Sequence, residues 1–220
     1  MQTQDLLSVL HLSSPSLPIG AFAYSQGLES AIDAGWVSDQ HSLQAWLEAV
    51  CEYSLPHVDI PLLSRLYHAW QIDDLQAVND WQDYVLANRE TRELVDEELQ
   101  LGTTLRRLLQ QLALLPTNVP EQATYLSMYA LALHQRQIPL QQGLVGWLWS
   151  WLENQVVVAC KAIPLGQTHA QKVLLALMPK LSVAIDKGMA LPDDQLGMTL
   201  PAVVMASAWH EHQYSRLFRS

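Results

Sequence analysis

Apolar residues recur along most of this chain three or four residues apart, and runs that alternate apolar with polar residues are few. This spacing places apolar side chains on one face of an α-helix, whereas a half-buried strand needs alternation. The clearest example is a seam that advances in steps of four and three through Leu94, Glu98, Leu101, Leu105, Leu108 and Leu112. A seam of this length is typical of a helix in a bundle. The spacing therefore predicts an all-α fold.

Prolines, glycines and capping residues divide the chain into roughly eight to ten helices. The clearest predicted helices span about residues 25–34, 38–53, 61–70, 74–112, 121–137, 140–161, 168–187 and 200–212. Gly35 closes the first of them, Ser38 is the predicted N-cap of the second, and Asp73 or Asp74 caps the fourth. No repeat, low-complexity tract or linker interrupts this pattern, so residues 1–220 are expected to form one domain.

Charge and composition exclude several classes of protein. Twelve Lys and Arg against 22 Asp and Glu give a formal net charge of −10, which argues against nucleic acid as a partner. The first residues lack the pattern of a secretory signal, and the longest uncharged stretch, 137–152, contains Pro139 and is too polar for a membrane span. Cys51 and Cys160 are far apart and have apolar neighbours, so both are expected to be buried, unreactive thiols. A cytoplasmic protein follows.

Sequence motifs of enzymes are missing from the chain. It has no GxSxG elbow, no P-loop and no GxGxxG run, so neither an enzyme nor a cofactor is predicted. His210, Glu211 and His212 approach the HExxH zinc motif, but Tyr214 stands at its second ligand position. Two histidines at i and i+2 do not share a helical face, so solvated side chains are the expected state of this pair.

Four short segments are less easily explained by helix packing alone. SPSLPIGAFAYSQGLE, 14–29, carries small polar residues beside Tyr24, which is taken as exposed. RETREL, 89–94, offers ion pairs of Arg89 with Glu93 and of Arg92 with Asp96, as on a solvated helix face. KAIPLGQ, 161–167, breaks the chain between two long helices.

The fourth segment is QYSRLFRS, residues 213–220, called the tail below. It places Tyr, Leu, Phe and two Arg where a chain end otherwise frays. Tyr and Arg are enriched among residues that anchor interfaces, so the tail is predicted to dock on another protein. The alternative is that the tail packs back on its own domain.

Together, SPSLPIGAFAYSQGLE, RETREL, the PLGQ turn after Lys161 and the terminal HEHQYSRLFRS closely resemble the urease accessory protein UreF family, over about residues 6–220. His212 and Ala170 depart from that family's pattern. The resemblance implies an all-α protein that forms a homodimer and has neither an active site nor a cofactor. It also implies a bridge between a UreD/UreH-type scaffold protein and a UreG-type GTPase, which gates GTP-dependent nickel delivery to apo-urease.

The resemblance also implies which residues meet these partners. Lys161 falls on a lysine linked to coupling with the GTPase, Glu29 on a conspicuous polar position, and the tail on a segment that becomes ordered on the scaffold. The full predicted set is Tyr24, Glu29, Lys161, Gln167, Tyr214, Arg216, Leu217, Phe218 and Arg219. Two alternatives stay open: a helical nickel-binding carrier that uses His169, His210 and His212, and a helical dimer that serves an unrelated complex.

Overall fold

The computed structural model describes residues 3–220, and these residues form ten α-helices and no strand. The helices are α1 (Thr3–Leu12), α2 (Leu28–Asp33), α3 (Gln40–Ala49), α4 (Asp59–Gln71), α5 (Leu75–Ala87), α6 (Arg92–Gln111), α7 (Tyr125–Gln135), α8 (Leu140–Ala162), α9 (Gln167–Ala190) and α10 (Pro201–His210). The predicted all-α fold is confirmed, while nothing in this single chain tests the predicted dimer. No helix in the described part is long and apolar enough to cross a membrane.

Helix α7 lies at the centre of the core. Every residue from Leu126 to Leu133 is buried, because the helix packs against α4 on one side and α6 on another. Helices α8 and α9 pack on each other, and α9 also contacts α3 and α4. Near the site described below, α2 packs against both α8 and α10.

The long helix predicted from residue 74 to 112 is wrong, because the chain breaks between α5 and α6. Asp74 does cap α5, but Thr91 then caps α6 by accepting the backbone N–H of Leu94. Arg89 lies in the break, so it pairs with carboxylates brought there by the fold and not with Glu93. The exposed pair of Arg92 and Asp96 forms as predicted, at 3.7 Å.

The packed face of α6 differs slightly from the predicted seam. Its buried residues are Glu97, Glu98, Leu101, Gly102, Leu105 and Leu109. Leu112, the last member of the predicted seam, is exposed. Gly102 allows the close approach to the segment before α7, because a Cβ there would lie 2.5 Å from the carbonyl carbon of Thr124.

Several further expectations need correction. Asp39, not Ser38, is the N-cap of α3, and it forms a reciprocal capping box with Ser42. Helix α2 begins only at Leu28, and α1 was not predicted. Cys51 is buried as predicted, and burial raises the pKa of its thiol to about 12. Cys160 is exposed on α8, contrary to the prediction.

Candidate functional site

The tail folds back onto its own domain and lies along the segment that leads into α2. The N–H of Arg219 donates to the carbonyl of Ala23 at 2.8 Å, and the N–H of Ser25 donates to the carbonyl of Ser220 at 2.7 Å. Phe218 and Ser220 are buried, whereas Tyr214 and Leu217 are exposed to solvent. Self-packing, the alternative left open for the tail, is therefore the arrangement in the isolated chain.

Glu29 on α2 holds the middle of the tail. Glu29 is 6% exposed, and its Oε1 and Oε2 accept the backbone N–H groups of Leu217 at 2.7 Å and Phe218 at 3.0 Å, respectively. Oε2 also lies 3.2 Å from Nε2 of His210. Hydrogen bonds to a charged acceptor are stronger than neutral ones, so they offset the cost of burying this carboxylate. Glu29 thus binds the tail by accepting hydrogen bonds from its backbone.

His210, at the end of α10, joins Glu29 to α6. Its ring is fully buried, and its Nδ1 lies 2.6 Å from Oε2 of Glu93. The expectation of a solvated side chain is wrong, because the fold surrounds this ring with two carboxylates. A neutral imidazole carries one N–H, so the ring donates to both carboxylates only in its charged form. Arg216 of the tail pairs with the other oxygen of Glu93.

Glu97, one turn beyond Glu93 on α6, receives the end of the tail. One oxygen accepts the hydroxyl of Ser220 at 2.7 Å, and the other accepts the amide of Gln26 at 2.8 Å. Gln26 in turn accepts the indole N–H of Trp151 at 2.9 Å. Burial raises the pKa of Glu97 to about 7, although the hydrogen bonds from Ser220 and Gln26 act in the opposite direction. Glu97 is therefore a buried carboxyl that titrates close to neutral pH.

A second buried cluster fixes the break before α6. Arg89 lies 2.8 Å from both Asp59 and Glu98, and Glu98 also accepts the N–H of Leu126 at the start of α7. Burial acts to lower the pKa of Arg89, but the two carboxylates raise it above its ordinary value. These contacts position α6, which carries Glu93 and Glu97.

Gly27 brings the two ends of the site together. Its φ of +81° is strained for residues with a side chain, and it directly precedes α2. A Cβ at this position would lie 2.8 Å from the backbone nitrogen of Ser207 on α10. Glycine therefore allows α2 and α10 to approach closely enough for Glu29 to reach His210.

The predicted partner-binding residues outside the tail differ in their surroundings. Tyr24 is buried and not exposed as expected, and its carbonyl accepts the amide of Asn154 at 2.9 Å. Lys161, in the last turn of α8, places Nζ 5.4 Å from the centroid of the Phe218 ring. Gln167 is exposed as the first residue of α9. The structure thus joins Glu29, Lys161 and the tail in one region.

The histidines do not form a ready metal site. His169 and His212 are exposed, and both ring nitrogens of His210 face carboxylates. Between residues 3 and 220, no group of three or more His, Cys, Asp or Glu side chains is arranged to hold a metal ion. No observation in the structure therefore favours the nickel-carrier alternative.

Comparison with known proteins finds relatives that match this chain over nearly their whole length. The UreF family model matches residues 37–178. The chain belongs to the UreF family. The urease accessory protein UreF of Pseudoalteromonas translucida (strain TAC 125) is 49% identical over 227 residues, which cover 100% of this chain and 97% of the relative.

A second relative gives the same picture. The urease accessory protein UreF of Chromohalobacter salexigens is 50% identical over 217 residues, which cover 98% of this chain and 94% of the relative. The predicted resemblance to the UreF family is confirmed. Both relatives are named accessory proteins, in agreement with the prediction of a non-enzymatic role.

Proposed function

We propose that this chain is a non-enzymatic adaptor in the maturation of urease. In this proposal it bridges a UreD/UreH-type scaffold protein and a UreG-type GTPase, and it gates GTP-dependent nickel delivery to apo-urease. Membership of the UreF family supports the role in urease maturation. The free cysteines agree with a cytoplasmic location, which belongs to the same proposal.

The proposed contact with the scaffold protein is supported by the way in which the tail is bound to its own domain. Its backbone is held by Glu29 and Ala23, while the side chains of Tyr214 and Leu217 point to solvent. When a partner covers exposed aromatic and aliphatic side chains, little entropy is lost if the backbone that carries them is already ordered. We therefore propose that the scaffold protein binds the docked tail through these two side chains.

The proposed homodimer has support from α9. Leu175, Met178 and Val183 are exposed large apolar residues on this long helix. Apolar side chains gathered on one element are characteristic of surfaces that another chain covers. A second copy of the chain is the occupant proposed for this face.

A titration with the scaffold protein tests the adaptor contact. The double substitution Tyr214→Ser and Leu217→Ser removes the exposed side chains but keeps the backbone bonds of the tail. The expected result is a loss of scaffold affinity of at least about tenfold, which is the scale of a hot-spot side chain. Leu112→Ser, which alters an exposed leucine at the far end of α6, is the matched control and should bind normally. Equal affinity for all three proteins would refute the proposed contact.

A further inference from the structure

Lys161 and the tail are in contact, although the resemblance assigns them to different partners. The ammonium nitrogen of Lys161 lies 5.4 Å from the centroid of the Phe218 ring. A cation within about 6 Å of an aromatic centroid is attracted by the negative face of the ring. Among the described residues no carboxylate forms an ion pair with Lys161. The Phe218 ring is thus the one described partner of this charge.

Phe218 is the largest buried side chain of the tail. The residue is 6% exposed, whereas its neighbour Leu217 is 67% exposed. The backbone N–H groups of Leu217 and Phe218 both donate to Glu29, and the next N–H, of Arg219, donates to Ala23. The ring thus lies at the centre of this series of backbone bonds. A contact that holds the ring in place therefore favours the docked position of residues 217–219.

We propose that Lys161 is a positioning residue for the docked tail. Its ammonium covers the Phe218 ring and stabilises the docked state against a state in which the tail has left α2. A residue predicted to serve the GTPase thereby supports the surface that meets the scaffold, even when no GTPase is bound. Only the identity of these two partners rests on the proposed function.

The isolated protein provides the direct test, because the tail carries three hydrogen-bonded amides that report its release. Hydrogen exchange at Leu217, Phe218 and Arg219 measures the fraction of time that the docked segment is open. Lys161→Met removes the charge but keeps an unbranched aliphatic chain. Its expected effect is an increase of about two- to fivefold in exchange at these amides. All proteins are compared at one pH, because Glu97 titrates close to neutrality.

Two controls separate positioning from a general loss of stability. Lys161→Arg keeps a cation that packs over aromatic rings, so exchange at the tail should return towards the wild-type rate. Lys172→Met removes another exposed lysine, on α9, and should leave tail exchange unchanged. Exchange in Lys161→Met equal to that of the wild type, or equal acceleration in both Lys161 variants, would overturn the proposal.

A double-mutant cycle with Phe218→Leu asks whether the lysine acts through the ring. In that background Lys161→Met should add no further acceleration, and a full additional effect would contradict the proposal. If Phe218→Leu alone opens the tail completely, the comparison of Met with Arg at position 161 still decides the outcome. Because no partner is present, failure of scaffold binding would refute the proposed function without altering this result.

Discussion

Among single residues, Glu97 couples the stability of the domain to pH. Its carboxyl is buried beneath the tail, and its pKa is raised from an ordinary value of 4.5 to about 7. A group whose pKa is raised in the folded state binds its proton more tightly there than in the unfolded state. Its contribution to stability is therefore complete below pH 4.5 and is lost as the pH rises through about 7.

Glu97→Gln should remove this pH dependence. The introduced carboxamide keeps an oxygen for the amide of Gln26, and the hydroxyl of Ser220 accepts from its NH₂ group. The free energy of unfolding of the wild type should fall relative to that of the variant by about 2 to 3 kcal/mol between pH 4.5 and 8. Urea denaturation across this range measures the difference. Asp83→Asn, at an exposed carboxylate on α5, is the control, and parallel curves for the wild type and Glu97→Gln would contradict this coupling.

Glu29 is the subject of the second residue-scale prediction, which concerns docking of the tail. In Glu29→Gln one carboxylate oxygen becomes an amide donor that faces another donor, and the charge opposite His210 is lost. Bonds to a charged acceptor contribute about 1.5 to 3 kcal/mol each, so release of the tail should become at least tenfold more frequent. Trypsin cleavage after Arg216, followed by mass spectrometry, measures that release. Glu121→Gln, at an exposed site, is the control and should be cleaved at the wild-type rate. If trypsin cleaved Glu29→Gln no faster than the wild type, docking of the tail would not depend on the carboxylate of Glu29.

At the scale of elements, close approach of backbones decides how α6 meets α7. Gly102→Ala places a Cβ against the carbonyl group of Ala123 and 2.5 Å from the carbonyl carbon of Thr124. Backbone cannot rotate away as a side chain can, so the overpacking should outweigh the gain of about 1 kcal/mol in helix propensity. A net loss of about 1 to 3 kcal/mol is expected, seen as a melting temperature several degrees lower.

Gly166→Ala, at the N-cap of α9, is the control for this prediction. Gly166 has a φ of −68°, and the nearest atom to a Cβ there is Nδ1 of His169, at 3.6 Å. This substitution should leave the melting temperature nearly unchanged. If thermal denaturation showed Gly102→Ala to be as stable as Gly166→Ala, the close contact between α6 and the segment before α7 would not be a constraint on the fold.

The helices that the sequence predicted well are those with a proline or glycine residue at their ends. Pro139, Pro164 and Gly166 bracket α8 and the start of α9, and both helices appear within a few residues of their predicted ends. The break between α5 and α6 contains neither proline nor glycine, and its one cap, Thr91, was not recognised as the start of a helix. It depends on Arg89 and Asp59, which are 30 positions apart and meet only in the folded chain.

The candidate site was predictable only in part, for the same physical reason. Glu29 and the tail were selected through a resemblance, but their contact spans 188 positions and leaves no trace in helical periodicity. His210 was expected to be solvated because it stands near a helix end, whereas Glu29 and Glu93 enclose it from other helices. One local signal was available. Glu93 and Glu97 are like charges one turn apart on α6, which repel each other unless residues from other elements pair with them.

At the scale of the whole molecule, an acidic helical body holds a more basic, aromatic segment against its surface. The formal net charge of −10 favours encounter with cationic partner surfaces, and in the proposed function the aromatic and arginine side chains of the tail make the specific contact. Glu29, Glu93 and Glu97 hold the tail against this body in the isolated chain. A segment held in this way loses less entropy when a partner binds it, which suits the proposed adaptor role.

The most direct test of the proposed adaptor role is the mass of the complex that forms when the chain is purified with a UreD/UreH-type scaffold protein and a UreG-type GTPase. Size-exclusion chromatography with light scattering gives this mass for the wild type and for the Tyr214→Ser, Leu217→Ser variant. We expect one defined species that contains all three proteins with two copies of this chain, and its loss in the variant. A wild-type chain that elutes apart from both proteins at every concentration would contradict the adaptor role.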